Sequence, residues 1–87
     1  MPVHNNAYID INDYNNMHIN TKRQVKHQLA FDIMKITLKM EQMIEHAPNS
    51  KLYNMSNVDY TRYMALNKRK CEMIDELKTL MNNDGDL

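Results

Sequence analysis

The sequence is short of the residues that build tight turns and covalent bridges. It has one glycine, two prolines, one cysteine and no tryptophan among 87 residues. Because sharp turns with positive φ mostly need glycine, β-hairpin folds are disfavoured. The single cysteine, Cys71, excludes a disulfide within the chain. A reduced thiol of this kind is typical of an intracellular protein.

Excess charge of one sign and long apolar runs are also missing. Lys plus Arg number 11 and Asp plus Glu number 11, so the formal net charge is zero. This balance disfavours a dedicated nucleic-acid coat, which needs excess basic charge. No apolar run approaches the roughly 20 residues of a membrane span, and the first ten residues do not resemble a signal peptide. We therefore expect an intracellular protein, cytoplasmic or nuclear, that binds no membrane.

Apolar spacing divides the chain into three parts. We predict a polar arm over 1–19, a helical hairpin over 20–83 and a tail over 84–87. The arm is rich in asparagine, a poor helix former, so we expect it to be extended or to form a single helical turn. Two interpretations of the arm stay open, a free tail and a segment that docks on a neighbour. The predicted fold class is all-α, a two-helix antiparallel hairpin with an N-terminal arm, completed into a bundle by oligomerisation.

Local signals predict where the two helices begin and end. The first helix is expected at about 22–46, with Thr21 as its N-terminal cap and a proline just beyond its end. The second is expected at about 57–82, with Ser56 as its cap. A loop over 48–55 has a suitable length to join two antiparallel helices.

Apolar residues three and four apart predict the hairpin core. In the first helix they are Leu29, Ile33, Ile36, Met40 and Met43. In the second helix they are Leu66, Met73, Ile74, Leu77 and Met81. The nine methionines, Met34 and Met64 among them, are interpreted mainly as core, with a Met-rich groove for a partner helix as the alternative. Cys71 is expected to be a small buried residue on the apolar face of the second helix.

The first helix carries a second apolar series, Phe31, Met34 and Leu38. At 3.6 residues per turn, Leu38 points about 200° away from Ile36. A helix that is apolar on two sides is buried on two sides, and one hairpin covers only one of them. Three covers are open: the arm, a second copy of the chain, or a different protein. These three residues are therefore the predicted self-association or partner seam.

No motif in the sequence predicts catalysis. The histidines show no metal-binding spacing; they are His4, His18, His27 and His46. A glycine-rich phosphate loop is absent, and Cys71 has no histidine base at a recognisable spacing. The expectation is a protein that is not an enzyme, with no cofactor, no metal and no small-molecule substrate.

Two basic clusters offer contacts to phosphate or to an acidic partner. They consist of Lys22, Arg23 and Lys26, and of Lys68, Arg69 and Lys70. In an antiparallel hairpin they would lie roughly 15–20 Å apart. The preferred function is a non-catalytic protein–protein interaction or assembly protein, a dimer in its simplest form. The alternative is a small dimeric nucleic-acid-associated regulator. Abundant Asn, Lys and Ile, whose codons are rich in A and T, also suggest an AT-rich genome such as a viral one.

Overall fold

The computed structural model describes residues 9–87, so the first eight residues of the predicted arm, His4 among them, lie outside the described residues. Within 9–87 there are three α-helices and no strand: α1 (Ile11–Asn15), α2 (Ile19–His46) and α3 (Asn57–Asn83). The two long helices pack against each other as a hairpin. The all-α class and the hairpin are therefore confirmed.

Helix α2 begins one turn earlier than the spacing indicated. The His18 ring, through Nδ1, accepts the backbone N–H of Asn20 at 3.1 Å, and His18 itself is extended. The expectation that Thr21 caps the helix is wrong, because His18 already satisfies one of the free N–H groups of the first turn. The helix ends at His46. Ala47 is extended, with ψ of 150°, as expected for a residue that precedes proline.

Two short 3₁₀ turns connect the long helices, Pro48–Ser50 and Leu52–Asn54. Asn49 lies in the left-handed region with φ of 59°, a conformation that asparagine tolerates better than most residues. Ser56 then caps α3 as predicted, because its hydroxyl accepts the Asp59 N–H at 3.1 Å. The two 3₁₀ turns and the Ser56 cap together reverse the direction of the chain between α2 and α3.

The core is small and lies towards the open end of the hairpin. One buried cluster contains Tyr14, Leu29, Met73 and Leu80, and Met40 is also buried, nearer the loop. The other residues of the predicted core are half-buried: Ile33, Ile36, Met43, Leu66, Ile74, Leu77 and Met81.

The described part of the arm belongs to this core. Asp10 caps α1 by accepting the Asn12 N–H at 2.8 Å. The short helix places Tyr14 against the hairpin, where its exposed fraction is 0%, and Ile9 and Met17 pack beside it. Residues 9–18 of the arm thus form a folded segment with one short helix, held against their own chain.

The molecule is thin for its length. Its radius of gyration is 16.1 Å and its extents are 48 × 30 × 18 Å, whereas a compact chain of this length would have a radius of gyration of about 12 Å. Each long helix therefore keeps one side facing solvent.

Three residues that were interpreted from the sequence as interior lie on the solvent-facing sides of α2 and α3. Cys71 is exposed, and Met34 and Met64 are 52% and 41% exposed. Cys71 is two residues from the buried Met73, which turns it about 200° around α3. The expectation of a buried Cys71 is wrong for the same geometric reason that separates Leu38 from Ile36.

Candidate protein-interaction surface

The side of α2 that faces away from α3 carries a row of half-exposed apolar side chains. Phe31, Met34 and Leu38 are 51%, 52% and 52% exposed, whereas Leu29 and Met40 on the opposite side are each 6% exposed. We call the three exposed residues the outer stripe. A contiguous apolar row of this kind is typical of an interaction surface, unlike single scattered residues.

The described arm does not cover the outer stripe. Ile9, Tyr14 and Met17 pack against the buried cluster of Leu29 and its neighbours, which is on the other side of α2. Residues 9–18 of the arm therefore do not bury the outer stripe. A second copy of the chain and a different protein remain as the candidates for burying it.

One charged neighbour partly shields the outer stripe. Lys35 Nζ lies 5.5 Å from the centre of the Phe31 ring, a cation–π contact worth about 0.5–1 kcal/mol at an exposed site. Lys35 also lies 3.9 Å from Asp32. Both charges border the stripe on one edge only, so Met34 and Leu38 stay open to contact.

Helix α3 has an exposed apolar row of its own. Tyr60 and Met64 are 44% and 41% exposed, and Cys71 follows seven residues later on the same face. From the sequence, Met64 is interpreted as core and Cys71 is expected on the apolar face of this helix. The structure instead leaves them in solvent, because α2 covers only the side that bears Met73 and Leu80.

An open groove of about 650 Å³ lies between the long helices at the loop end. Met43, Ala65 and Leu66 line it with apolar surface, and Lys39 and Arg62 contribute basic charge. The sequence analysis did not predict that Lys39 and Arg62 lie at the same groove. The two residues lie on different helices, and only the antiparallel packing brings them to one groove.

The structure separates the two predicted basic clusters. Arg69 lines the loop-end groove, whereas Arg23 lines a groove at the opposite end with Met81. The remaining members also differ in environment: Lys22 lies over an aromatic ring, Lys26 is ion-paired, Lys68 is exposed and Lys70 is half-buried.

Four residues tie the two ends of the described chain together, and we call them the terminal clamp: Tyr14, Lys26, Asp84 and Asp86. The Tyr14 hydroxyl donates to the Asp84 carboxylate. Lys26 Nζ lies 2.7 Å from Asp84 Oδ2 and 2.5 Å from Asp86 Oδ2. A further bond, 2.7 Å from Asn83 Nδ2 to Asn15 Oδ1, joins α3 to α1.

Contacts within the terminal clamp shift the pKa values of Tyr14, Lys26 and Asp84. Burial, reinforced by the hydrogen bond to Asp84, raises the pKa of Tyr14 to about 12. Hydrogen bonds to Asp84 and Asp86 raise the pKa of Lys26 above its usual value. The hydrogen bonds from Lys26 and Tyr14 lower the pKa of Asp84 to about 2. All three shifts favour the paired state at neutral pH.

Sequence reasoning missed the clamp. Tyr14 falls within the predicted polar arm and Asp84 and Asp86 within the predicted tail, and no sequence pattern links the two segments. The available signal was weak: a tyrosine among asparagines at one end of the chain and an acidic pair at the other.

No cluster of three or more His, Cys, Asp or Glu side chains suited to a metal ion occurs within residues 9–87. Two of the histidines there serve the backbone. His18 caps α2, and Nδ1 of His46 lies 2.7 Å from the Gln42 carbonyl oxygen. None of the helices in the same part of the chain combines the length and apolarity needed to cross a bilayer.

Comparisons with models of known protein families, with curated proteins and with solved structures found no significant match.

Proposed function

We propose that this chain is a non-catalytic interaction or assembly protein that binds a second copy of itself, or another protein, through the outer stripe. The observation that carries the proposal is the half-exposure of Phe31, Met34 and Leu38 along one side of α2. No catalytic step is part of the proposal.

The energy available at the outer stripe supports this function. Full burial of a Phe, Met or Leu side chain contributes about 1.5–3 kcal/mol. Covering the exposed halves of the three side chains would therefore contribute about 2–4 kcal/mol per chain. For a small domain whose total stability is about 5–15 kcal/mol, this is a substantial share.

The thin shape of the molecule supports the same conclusion. Among residues 9–87 only six apolar residues are buried: Tyr14, Leu29, Met40, Ala47, Met73 and Leu80. A chain of this size usually needs disulfides, metal or association to add stability, and its one cysteine forms no bridge within the chain. Association through the outer stripe would enlarge the apolar core.

The placement of the basic clusters gives the nucleic-acid alternative no added support. Lys22 lies 5.4 Å from the Tyr14 ring centre, and Lys26 pairs with Asp84 and Asp86. These contacts reduce the positive charge that the first cluster offers to phosphate.

Sedimentation equilibrium at micromolar concentration tests the proposal. We expect the wild-type chain to self-associate and Leu38→Asp to shift it to a lower mass, because a carboxylate at the stripe would have to be desolvated. Val58→Asp, the same change from an apolar to an acidic side chain at a 63% exposed position of α3, is the matched control and should change the mass little.

Leu38 is half-exposed in the single chain, so Leu38→Asp should retain its helical circular dichroism. A wild-type chain that stays monomeric, with the same sedimentation as Leu38→Asp, would contradict self-assembly through the stripe. Equal effects of Leu38→Asp and Val58→Asp would place the interface elsewhere.

A further inference from the structure

Met34 of the outer stripe is the centre of a symmetric series of exposed residues on α2. Matching positions lie four, seven and eleven residues to either side of it: Ala30 and Leu38, His27 and Glu41, and Arg23 and Glu45. All seven residues are exposed. At 100° per residue they fall within a sector of about 80°, so they share one face of the helix. We call this the symmetric face.

Charged side chains on the symmetric face are divided by sign about its centre. The basic residue Arg23 lies in the first half with His27, and the acidic residues Glu41 and Glu45 lie in the second. This order is unfavourable for an isolated helix, because the N-terminus favours acidic side chains and the C-terminus basic ones. The first turn of α2 has no acidic residue. Among residues 9–87, Arg23, Glu41 and Glu45 take part in no ion pair.

We propose that a second copy of the chain packs its α2 antiparallel on this face, with the two-fold axis at Met34. The inference rests on the proposed function and specifies the partner and its register. In a two-fold interface each contact occurs twice. Arg23 then faces the partner's Glu45, His27 faces the partner's Glu41, and Ala30 faces the partner's Leu38.

Charge complementarity favours this occupant over other arrangements. A parallel pair would place Arg23 against the partner's Arg23 and Glu45 against the partner's Glu45, and like charges across an interface are unfavourable. The antiparallel pair converts the unfavourable charge order of α2 into two ion pairs between Arg23 and Glu45, with two further contacts between His27 and Glu41, around a dry centre of Met34, Ala30 and Leu38. The series spans about 33 Å of helix, from residue 23 to residue 45.

Charge reversal tests the pairing. We expect Arg23→Glu alone, and Glu45→Arg alone, each to raise the dimer dissociation constant about tenfold, since two contacts per dimer become repulsive. The double variant Arg23→Glu/Glu45→Arg should return to near the wild-type value. Lys68→Glu, which makes the same change in net charge as Arg23→Glu but on the exposed surface of α3, is the control for that variant and should have little effect.

Loss of helical structure in the single charge-reversal variants would not explain a weaker association. Glutamate near the start of α2 and arginine near its end both improve the match to the helix dipole. Each single variant should therefore be at least as helical as the wild type while it associates more weakly. Circular dichroism of each variant, measured beside its sedimentation, checks this.

Cross-linking tests the position of the axis. In a Cys71→Ser background, Met34→Cys should form an intermolecular disulfide under mild oxidation, because the two residues meet at the axis. Ala30→Cys should not, since the two copies of residue 30 would be offset by about 12 Å along the helix. A disulfide requires Cα atoms less than about 7 Å apart.

The possible results separate this inference from the proposed function. Rescue by the double charge swap together with selective cross-linking at residue 34 supports the antiparallel dimer. If Leu38→Asp dissociates the chain but the charge reversals have no effect, the proposed function stands and the antiparallel register is wrong. Efficient cross-linking of Ala30→Cys would indicate a parallel pair and overturn the inference, and so would a wild-type chain that is monomeric.

Discussion

Replacing Tyr14 with alanine tests whether the arm is a structural part of the hairpin. The Tyr14 side chain is fully buried and packs in one cluster with Leu29, Met73 and Leu80. Its hydroxyl donates to Asp84. Truncation therefore removes a buried ring and a hydrogen bond to a charged group in one step.

The expected loss is large for a chain of this size. Truncating a buried aromatic residue to alanine costs about 3–5 kcal/mol. Tyr14→Phe keeps the ring and loses only the hydrogen bond, which contributes about 1.5–3 kcal/mol to a charged acceptor. We expect the lower end of that range, because Asp84 still accepts from Lys26. Since 1 kcal/mol corresponds to about 4–8 °C in a domain of this size, Tyr14→Phe should lower the Tm by about 6–12 °C.

Thermal and urea unfolding followed by circular dichroism measure both variants, at one protein concentration because association stabilises the folded chain. Tyr53→Ala is the matched control, since Tyr53 is 80% exposed in the loop and should lose less than about 0.5 kcal/mol. If Tyr14→Ala were no more destabilised than Tyr53→Ala, the arm would not be part of the core and the described packing would be wrong.

Two further predictions concern the clamp and the start of α3. Because the pKa of Asp84 is lowered from 3.8 to about 2, its pairing stabilises the folded state above about pH 4 and is lost as the pH falls towards 2. Asp84→Asn should therefore be less stable than the wild type at neutral pH, and its urea midpoint should change less as the pH falls from about 4 to 2. If the urea midpoint of Asp84→Asn depended on pH as the wild-type midpoint does, the pairing would be refuted. Ser56→Ala removes the cap of α3 and should cost about 1 kcal/mol, whereas Thr79→Ala, at an exposed position inside α3, should cost nothing measurable in the same urea titration.

The parts of the fold that depend on neighbouring residues could be predicted from the sequence. The apolar spacing gave the two long helices, because helical periodicity repeats over many turns. The Ser56 cap depends on a residue three positions away. The opposed positions of Ile36 and Leu38 follow from helix geometry alone, and Leu38 is indeed the more exposed of the two.

Features that depend on distant residues could not be predicted. The bond between Tyr14 and Asp84 joins positions 70 residues apart, and no local pattern indicates which end residues will meet. The exposure of Cys71 has the same origin. It depends on which side of α3 receives α2 and the arm, and periodicity alone does not decide that side when the apolar sector is broad.

The terminal clamp has a consequence for how the hairpin comes apart. A pair of antiparallel helices joined by one loop ordinarily separates from its open end, where helix termini fray first. Here the open end is fastened by Lys26, Asp84 and Tyr14, and the other end is closed by the chain itself. With no free end from which to unzip, the helices should separate in a single concerted step, and amide exchange near residues 22–26 should be as slow as in the middle of α2.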